Sequence, residues 1–187
     1  MTPADTSTPD APALRRATRD DLPALRDLID ASVRELSQGF YTEAEIVSGL
    51  RHVFGPDTML IDDGTYWVFE DGGTIAAAGG WSRRNTLYGG DQAKSGPDPL
   101  LDPAIEPARI RAFFVDPRYA RRGLGRALLE HCAAEAGREG FSALELMATL
   151  PGEPLYLALG FVPLERTAPV QPDGVALRMV RMRRALR

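Results

Sequence analysis

The segment FFVDPRYARRGLGRALLEHC, residues 113–132, constrains the fold more than any other stretch of the chain. An apolar run ends at Asp116, and an arginine-rich turn then leads to Gly123 and Gly125, where a helical pattern begins. A helix start leaves backbone N–H groups free and carries the positive end of the helix dipole. Glycines there let a ligand approach the backbone. The segment is therefore typical of a turn that binds phosphate, and the alternative is a turn that uses glycine only for packing.

The composition limits what the rest of the chain can supply. A length of 187 residues suits one domain, and a hydrophobic share of 44% is enough to build its core. The net charge of −4 argues against a nucleic-acid partner, so positive charge for a phosphate must be local. The single cysteine, Cys132, excludes an intrachain disulfide framework and a multi-cysteine metal site. We expect no metal centre.

The start of the chain and its apolar runs bear on location. The first residues, MTPADTSTPDAPA, lack the basic and apolar parts of a secretion signal, and their composition is typical of a disordered tail. No apolar run reaches the ~18 residues of a membrane span. We therefore expect a cytoplasmic protein without a membrane partner, with a disordered tail at 1–12 and a single domain at 13–187.

Hydrophobic periodicity predicts a mixed α/β domain in the order β-α-α-β-β-β-α-β-α-β-β. Thr18 caps the first helix, and Thr42 with Glu45 forms a capping box for a second helix that runs to about Phe54. Strands are expected at 14–17, 65–70, 74–82, 108–115, 141–149, 161–165 and 175–182, and later helices at 123–139 and 153–159. The segment 83–107 is rich in Gly, Pro and Asp, which is typical of a functional or disordered loop.

Three kinds of phosphate site compete for the turn at Gly123. A Walker loop needs Lys-Ser/Thr after its last glycine, whereas Arg126 follows Gly125. A dinucleotide fingerprint needs a third glycine where Leu128 stands. Coenzyme A is the third candidate.

The segment FFVDPRYARRGLGRALL is similar to the acetyl-CoA motif of the GNAT superfamily of N-acetyltransferases. It departs from that motif at Ala120, where the family usually has Gln or Arg. The segment EPLYLALGFVPLE resembles a later family motif, with Tyr156 four residues before Gly160. The resemblance spans roughly residues 13–182. It implies a mixed sheet of about six to seven strands with flanking helices, in which two central parallel strands splay apart.

The resemblance also implies an activity and its cosubstrate. GNAT enzymes transfer acetyl from acetyl-CoA to an amine, which attacks the thioester directly without an acyl-enzyme. The acid that protonates the departing thiolate matches Tyr156, and the alternative for this residue is a buried core tyrosine. Cys132 is expected in the core. The residues that match the family's acetyl-CoA contacts are Phe113, Phe114, Val115, Arg121, Arg122, Gly123, Leu124, Gly125 and Arg126.

The general base is absent from its usual place. Many family members carry a glutamate where this chain has Arg109, and arginine stays protonated. Substitutes that remain open are Glu106, Glu145, His52 and His131. Arg109 and Arg111 alternate with apolar residues and should share one face of a central strand. Either they bind a carboxylate on the acceptor, or they form structural ion pairs.

The acceptor side is the least determined. The resemblance implies that the loop holding Phe40 and Tyr41 borders the acceptor, which is a small-molecule amine or a peptide N-terminus. The segment at 88–92 is either a lid, a dimer contact or a disordered flap. Dimers are frequent in the family, so a homodimer stays open. The alternative function is a non-catalytic acyl-CoA-binding regulatory module, which Arg109 and Ala120 favour.

Overall fold

Seven strands and five helices make up the computed structural model, which describes residues 11–186. The strands are β1 (Ala13–Arg16), β2 (Tyr66–Asp71), β3 (Thr74–Ser82), β4 (Ala108–Val115), β5 (Ala143–Thr149), β6 (Val162–Thr167) and β7 (Met179–Ala185). The helices are α1 (Leu22–Leu36), α2 (Glu43–His52), α3 (Thr58–Asp62), α4 (Leu124–Arg138) and α5 (Glu153–Ala158). Most of the predicted tail at 1–12 lies outside the described residues.

Local signals explain where the helices begin. The Thr42 hydroxyl accepts a hydrogen bond from the amide of Glu45, whose carboxylate accepts one from the amide of Thr42, so the predicted capping box starts α2. The sequence prediction missed α3. Asp57 caps this short helix by accepting from the amides of Met59 and Leu60.

All seven strands join one sheet in the order β1-β2-β3-β4-β5-β7-β6. Neighbouring strands are antiparallel except for the central pair β4 and β5, which is parallel. This confirms the predicted mixed sheet of six to seven strands with flanking helices. The last strand begins four residues later than expected, because 175–178 form part of the connection from β6.

Helices cover both faces of the sheet. On one face, α1 and α2 pack on a core that includes Ile46, Phe54 and Met179. On the other face, α4 and α5 pack on a larger core centred on the buried Trp81 and Leu144. Within residues 11–186, no helix combines the length and apolar character needed to cross a bilayer.

The central pair separates almost at once. Pairing between β4 and β5 is confined to Ala108 with Leu144 and Arg109 with Glu145. A β-bulge in β4 follows. The register with β3 moves from Gly80 opposite Arg111 to Ala78 opposite Phe114. Ala112 takes a φ of 54° within this bulge, in a region that non-glycine residues rarely occupy. Because bulges bend their strand, this one accounts for the divergence of β4 from β5.

The loop at 83–107 is ordered against the domain. Arg84 bridges Leu100 across its base, and residues 91–93 form a single 3-10 turn. The Arg84 guanidinium binds the Asp63 carboxylate at 2.7 Å. Leu101 is buried and joins the core under α4. The loop at 83–107 therefore crosses the ends of β3 and β4, and we call it the strap.

Candidate active site

A cavity of about 70 Å³ lies where β4 and β5 diverge. Its walls come from both splayed strands, from the turn after α2, from the strap at 87–90, and from the start of β7. The residues that line it are Val53, Phe54, Gly55, Leu87, Tyr88, Gly89, Gly90, Ile110, Arg111, Ala112, Phe113, Phe114, Met147, Thr149 and Met179. Among the predicted acetyl-CoA contacts, Phe113 and Phe114 line this space, whereas the amide of Val115 donates to the Ser32 hydroxyl at 3.3 Å.

The turn that opens α4 has an unusual backbone. Arg121 and Gly123 both have positive φ, at 62° and 85°. The first hydrogen bond of the helix runs from the Ala127 amide to the Gly123 carbonyl, so the amides at 124–126 have no partner within the helix. Backbone turns of this kind form concave groups of N–H donors that suit an anion. The geometry fits the pyrophosphate site that the sequence predicted here.

The two glycines of the turn have different roles. A Cβ on Gly123 would meet nothing within 4 Å, so glycine is favoured there by its backbone conformation. A Cβ on Gly125 would lie 3.1 Å from Leu155 Cδ2, so glycine there allows α5 to pack closely on the start of α4. The packing alternative therefore describes Gly125, while the backbone requirement describes Gly123.

Three exposed arginines surround the turn. The side chains of Arg121, Arg122 and Arg126 form none of the ion pairs found within residues 11–186. Arg122 lies over the ring of Tyr119 at 5.1 Å, and the Tyr119 hydroxyl donates to Asp71 at 2.7 Å. Their charge thus remains available to an anion.

Tyr156 lies on the α4 side of the sheet. Its side chain is buried, and its ring meets that of Phe161 edge-on at a centroid distance of 5.6 Å. Burial raises the pKa of Tyr156, so the phenol stays protonated at neutral pH. Cys132 is fully buried in the same core, and burial raises the pKa of its thiol as well.

Arg109 and Arg111 lie on the face of β4 opposite α4 and are both held in ion pairs. Arg109 Nη1 lies 3.1 Å from Glu145 Oε1. Arg111 Nη2 lies 2.8 Å from Asp57 Oδ2. The two groups form an ion pair, but their relative orientation does not suit a hydrogen bond. Arg111 also donates to the strap carbonyls of Thr86, at 3.2 Å, and Gly89. This arrangement favours the structural alternative over carboxylate binding.

The four candidate bases lie apart from the cavity lining within the described chain. The Glu145 carboxylate is shared between Arg109 and Arg181, whose Nη2 is 2.9 Å away. Glu106 accepts from the Asp102 amide at 2.7 Å before β4 begins. His52 Nε2 lies 3.3 Å from Asp173 Oδ2, and the ring of His131 packs against that of Trp67 at 4.2 Å between centroids.

The predicted acceptor residues have other neighbours. The Tyr41 hydroxyl donates to the Arg178 carbonyl at 2.6 Å and accepts from the Leu150 amide at 3.0 Å. Burial raises the pKa of Tyr41 to about 12. Phe40 is exposed, and neither residue belongs to the cavity lining in the described structure. Sequence reasoning expected both splayed strands at this site but missed the contributions of the turn at 53–55 and of β7, because only the fold brings them together.

Comparisons with known proteins agree with this architecture. A model of the acetyltransferase (GNAT) family matches residues 30–161. The structure of a GCN5-related N-acetyltransferase from Rhodopseudomonas palustris aligns with a TM-score of 0.67 at 18% identity, covering 97% of this chain and 100% of the other. The PaiA N-acetyltransferase from Thermoplasma acidophilum, in complex with coenzyme A, aligns at 0.60 and 13% identity over 92% and 98%. The ribosomal-protein-S18-alanine N-acetyltransferase from Escherichia coli aligns at 0.55 and 21% over 93% of each chain.

Proposed function

The chain belongs to the acetyltransferase (GNAT) family, and we propose that it is an acetyl-CoA-dependent N-acetyltransferase acting on a primary amine. One observation carries the proposal. The pairing of β4 with β5 ends after Arg109 and Glu145, and the resulting gap meets a cavity on one side of the sheet. An extended chain with amide groups can enter such a gap and bind the unpaired backbone of the strands.

The remaining parts of acetyl-CoA have suitable partners on the chain. The amides at 124–126 and the positive φ of Arg121 and Gly123 suit a pyrophosphate. Arg121, Arg122 and Arg126 supply positive charge around it. The fit supports acetyl-CoA as cosubstrate and leaves the nicotinamide and nucleoside triphosphate alternatives without their motifs.

The chemistry needs few groups from the protein. When bound, acetyl-CoA supplies a thioester whose carbonyl carbon forms a C–N bond with the amine as the C–S bond breaks. The amine loses one proton and the thiolate gains one, so the reaction is balanced without an outside acid. Tyr156 is the proposed donor to the thiolate, and its raised pKa keeps that proton in place until transfer. Direct attack is consistent with a buried and protonated Cys132.

A non-catalytic acyl-CoA-binding module is the second candidate. It is favoured by the ion pairs that occupy Arg109 and Glu145, because they leave the cavity without an evident base. The two functions share the binding site and differ in turnover. Measurement of acetyl-CoA binding and of turnover on the same sample therefore separates the two functions.

The test combines thermal unfolding with release of free CoA thiol over a broad amine panel. Acetyl-CoA at 100 times its Kd should stabilise the native state by about 2.7 kcal/mol. Tyr156→Phe should lower kcat by about 10²- to 10⁴-fold with little change in KM, since the phenol acts on the leaving group. Cys132→Ala is the control and should retain turnover.

Each outcome has a distinct meaning. Stabilisation with thiol release supports the transferase, and stabilisation without release over the whole panel favours the binding module. Loss of turnover in Cys132→Ala, with acetyl-CoA binding intact, would contradict direct attack. The absence of any shift at millimolar acetyl-CoA would overturn the proposal for both functions.

A further inference from the structure

We infer that the acceptor is a weakly basic primary amine carried by a compact apolar group that bears no second charge. The inference rests on the proposed function and names the acceptor class for the same cavity. It comes from the lining of the cavity, from the use of each nearby charge, and from the space beneath the strap.

The lining is largely apolar. Aliphatic, thioether and aromatic side chains from five different parts of the fold face the space: Val53, Phe54, Leu87, Phe114, Met147 and Met179. An apolar acceptor gains free energy by leaving water for these walls. A charged body would lose its hydration there and would need a partner to replace it.

The nearby charges have no capacity left for an acceptor. Within the described chain, Arg111 is the one charged residue in the lining, and its side chain is only 2% exposed. Asp57 faces it with 0% exposure and also pairs with Lys94 from the strap. Glu145 lies two residues before Met147, on the same face of β5, and its carboxylate forms ion pairs with two arginines. A carboxylate or a second ammonium on the acceptor therefore meets no free partner.

The protonation state of the amine follows from the same lining. No carboxylate or histidine belongs to it among residues 11–186, so the amine must arrive neutral. At pH 7.5 an amine of pKa ~10.4 is about 0.1% neutral, whereas an α-amino group of pKa ~7.7 is roughly 40% neutral. The thiolate takes its proton from Tyr156, and the one proton that a neutral amine gives up restores the phenol. An amine of low basicity thus needs no base on the protein.

The strap limits the size of the acceptor. A volume of about 70 Å³ has room for roughly five water-sized groups. Gly89 and Gly90 form part of its roof, and the guanidinium of Arg111 donates to the Gly89 carbonyl. Gln92 packs against Gly55 at the edge of the roof. An acceptor that fits beneath this closed strap has a compact body.

The experiment compares kcat/KM within sets of amines that share one apolar body. Leucine amide should be the best of its set at pH 7.5, isoamylamine about 100-fold poorer, and leucine at least tenfold poorer than leucine amide. For isoamylamine, kcat/KM should rise about tenfold per pH unit between pH 7 and 9, because the neutral fraction of the amine rises by the same factor. Butylamine should exceed 1,4-diaminobutane by at least tenfold.

A pair of variants tests the role of the lining directly. Leu87→Glu places a carboxylate in the cavity wall and should raise the ratio of diaminobutane to butylamine turnover about tenfold. Leu100→Glu adds the same charge to the same loop at a position that is 64% exposed and should leave the ratio unchanged. Thermal unfolding and acetyl-CoA binding show whether each variant is folded.

The failures of the inference and of the proposed function are distinguishable. Turnover of leucine or diaminobutane as fast as that of its uncharged match would overturn the acceptor class while supporting a transferase. Thiol release from no amine would count against the transferase. Calorimetric titration of the CoA-saturated protein with N-acetyl-leucine amide and N-acetyl-leucine then tests the lining alone, and equal affinities would overturn the inference.

Discussion

The arginines in the strand and in the turn of one strand-turn-helix unit behave in opposite ways. Arg109 and Arg111, within β4, are buried and face carboxylates at 3.1 and 2.8 Å. Arg121 and Arg122, in the turn that begins after β4, are exposed and take no part in the ion pairs of the described chain. The same residue type therefore neutralises buried carboxylates in the strand and presents positive charge to solvent in the turn.

The difference separates two kinds of surface, an enclosed cavity and an exposed turn. Buried guanidinium groups need carboxylate partners, and the resulting ion pairs leave no unpaired charge on the cavity walls. Exposed guanidinium groups keep their hydration until an anion replaces it. A composition count of 22 Lys and Arg residues cannot distinguish these two groups, whereas burial and partners do.

Asp57→Ala should break this contrast with the largest effect. Removal of the carboxylate leaves Arg111 buried without its partner, and it also removes the cap of α3. We expect a loss of about 3–5 kcal/mol in the free energy of unfolding, measured by urea denaturation. Asp30→Ala is the control, because its carboxylate is 53% exposed in an i,i+4 pair with Arg34 and should cost less than about 0.5 kcal/mol. Equal losses would show that burial does not set the importance of these pairs.

Replacement of Arg121, Arg122 and Arg126 together by alanine should have an intermediate effect, and on binding only. The Kd for acetyl-CoA should rise by about 10- to 100-fold, equivalent to roughly 1.4–2.7 kcal/mol, with unfolding unchanged. Because these charges are exposed, affinity in the parent should fall with added salt more steeply than in the variant. Arg138→Ala, at the other end of α4, is the matched control. A triple variant with unchanged Kd would remove the arginines from the proposed anion site.

Glu45→Gln should give the smallest effect, and it sharpens the comparison with a pair whose carboxylate is buried and whose guanidinium is exposed. The hydrogen bonds from Arg178 lower the pKa of Glu45 to about 2, against an ordinary value of 4.5. The carboxylate therefore contributes its stability above pH 4.5 and loses it as the pH falls towards 2. We expect a deficit of about 1–2 kcal/mol in the variant at pH 7, which vanishes near pH 2. Glutamine preserves the capping box at Thr42, so a deficit that is constant with pH would point to packing instead of charge.

Local patterns made the fold and the glycine turn before α4 predictable. The capping box at Thr42, the hairpin between β2 and β3, and the glycines at 123 and 125 each report on a few neighbouring residues, and they occur in the structure. The resemblance then supplied the parallel central pair of strands that splays apart. Helix α3 was missed because five residues carry too little periodicity, although Asp57 and its acceptor role were a visible signal.

Long-range features were beyond the sequence. The bulge at Ala112 is not marked by glycine or proline, so simple alternation along ARIRAFFV assigned that residue to the face opposite the arginines, whereas it packs against the core of α1 and α3. The partner of Arg111, Asp57, lies 54 positions earlier, and no local pattern relates the two residues. Met147 and Met179 meet in one cavity wall only because β5 and β7 are neighbours.

The separation of β4 from β5 also has a mechanical consequence. The sheet consists of two parts, which we call leaves: one contains β1, β2, β3 and β4, and the other contains β5, β7 and β6. The two leaves are paired through only two residue pairs, at the corner where β4 and β5 begin. Rotation of one leaf about that corner would change the width of the gap without breaking a ladder within either leaf. Arg109 from one leaf and Glu145 from the other form their ion pair at this corner, with Arg181 behind it. The short pairing between the two leaves thus has the geometry of a hinge, and the ion pair of Arg109 with Glu145 lies at that hinge.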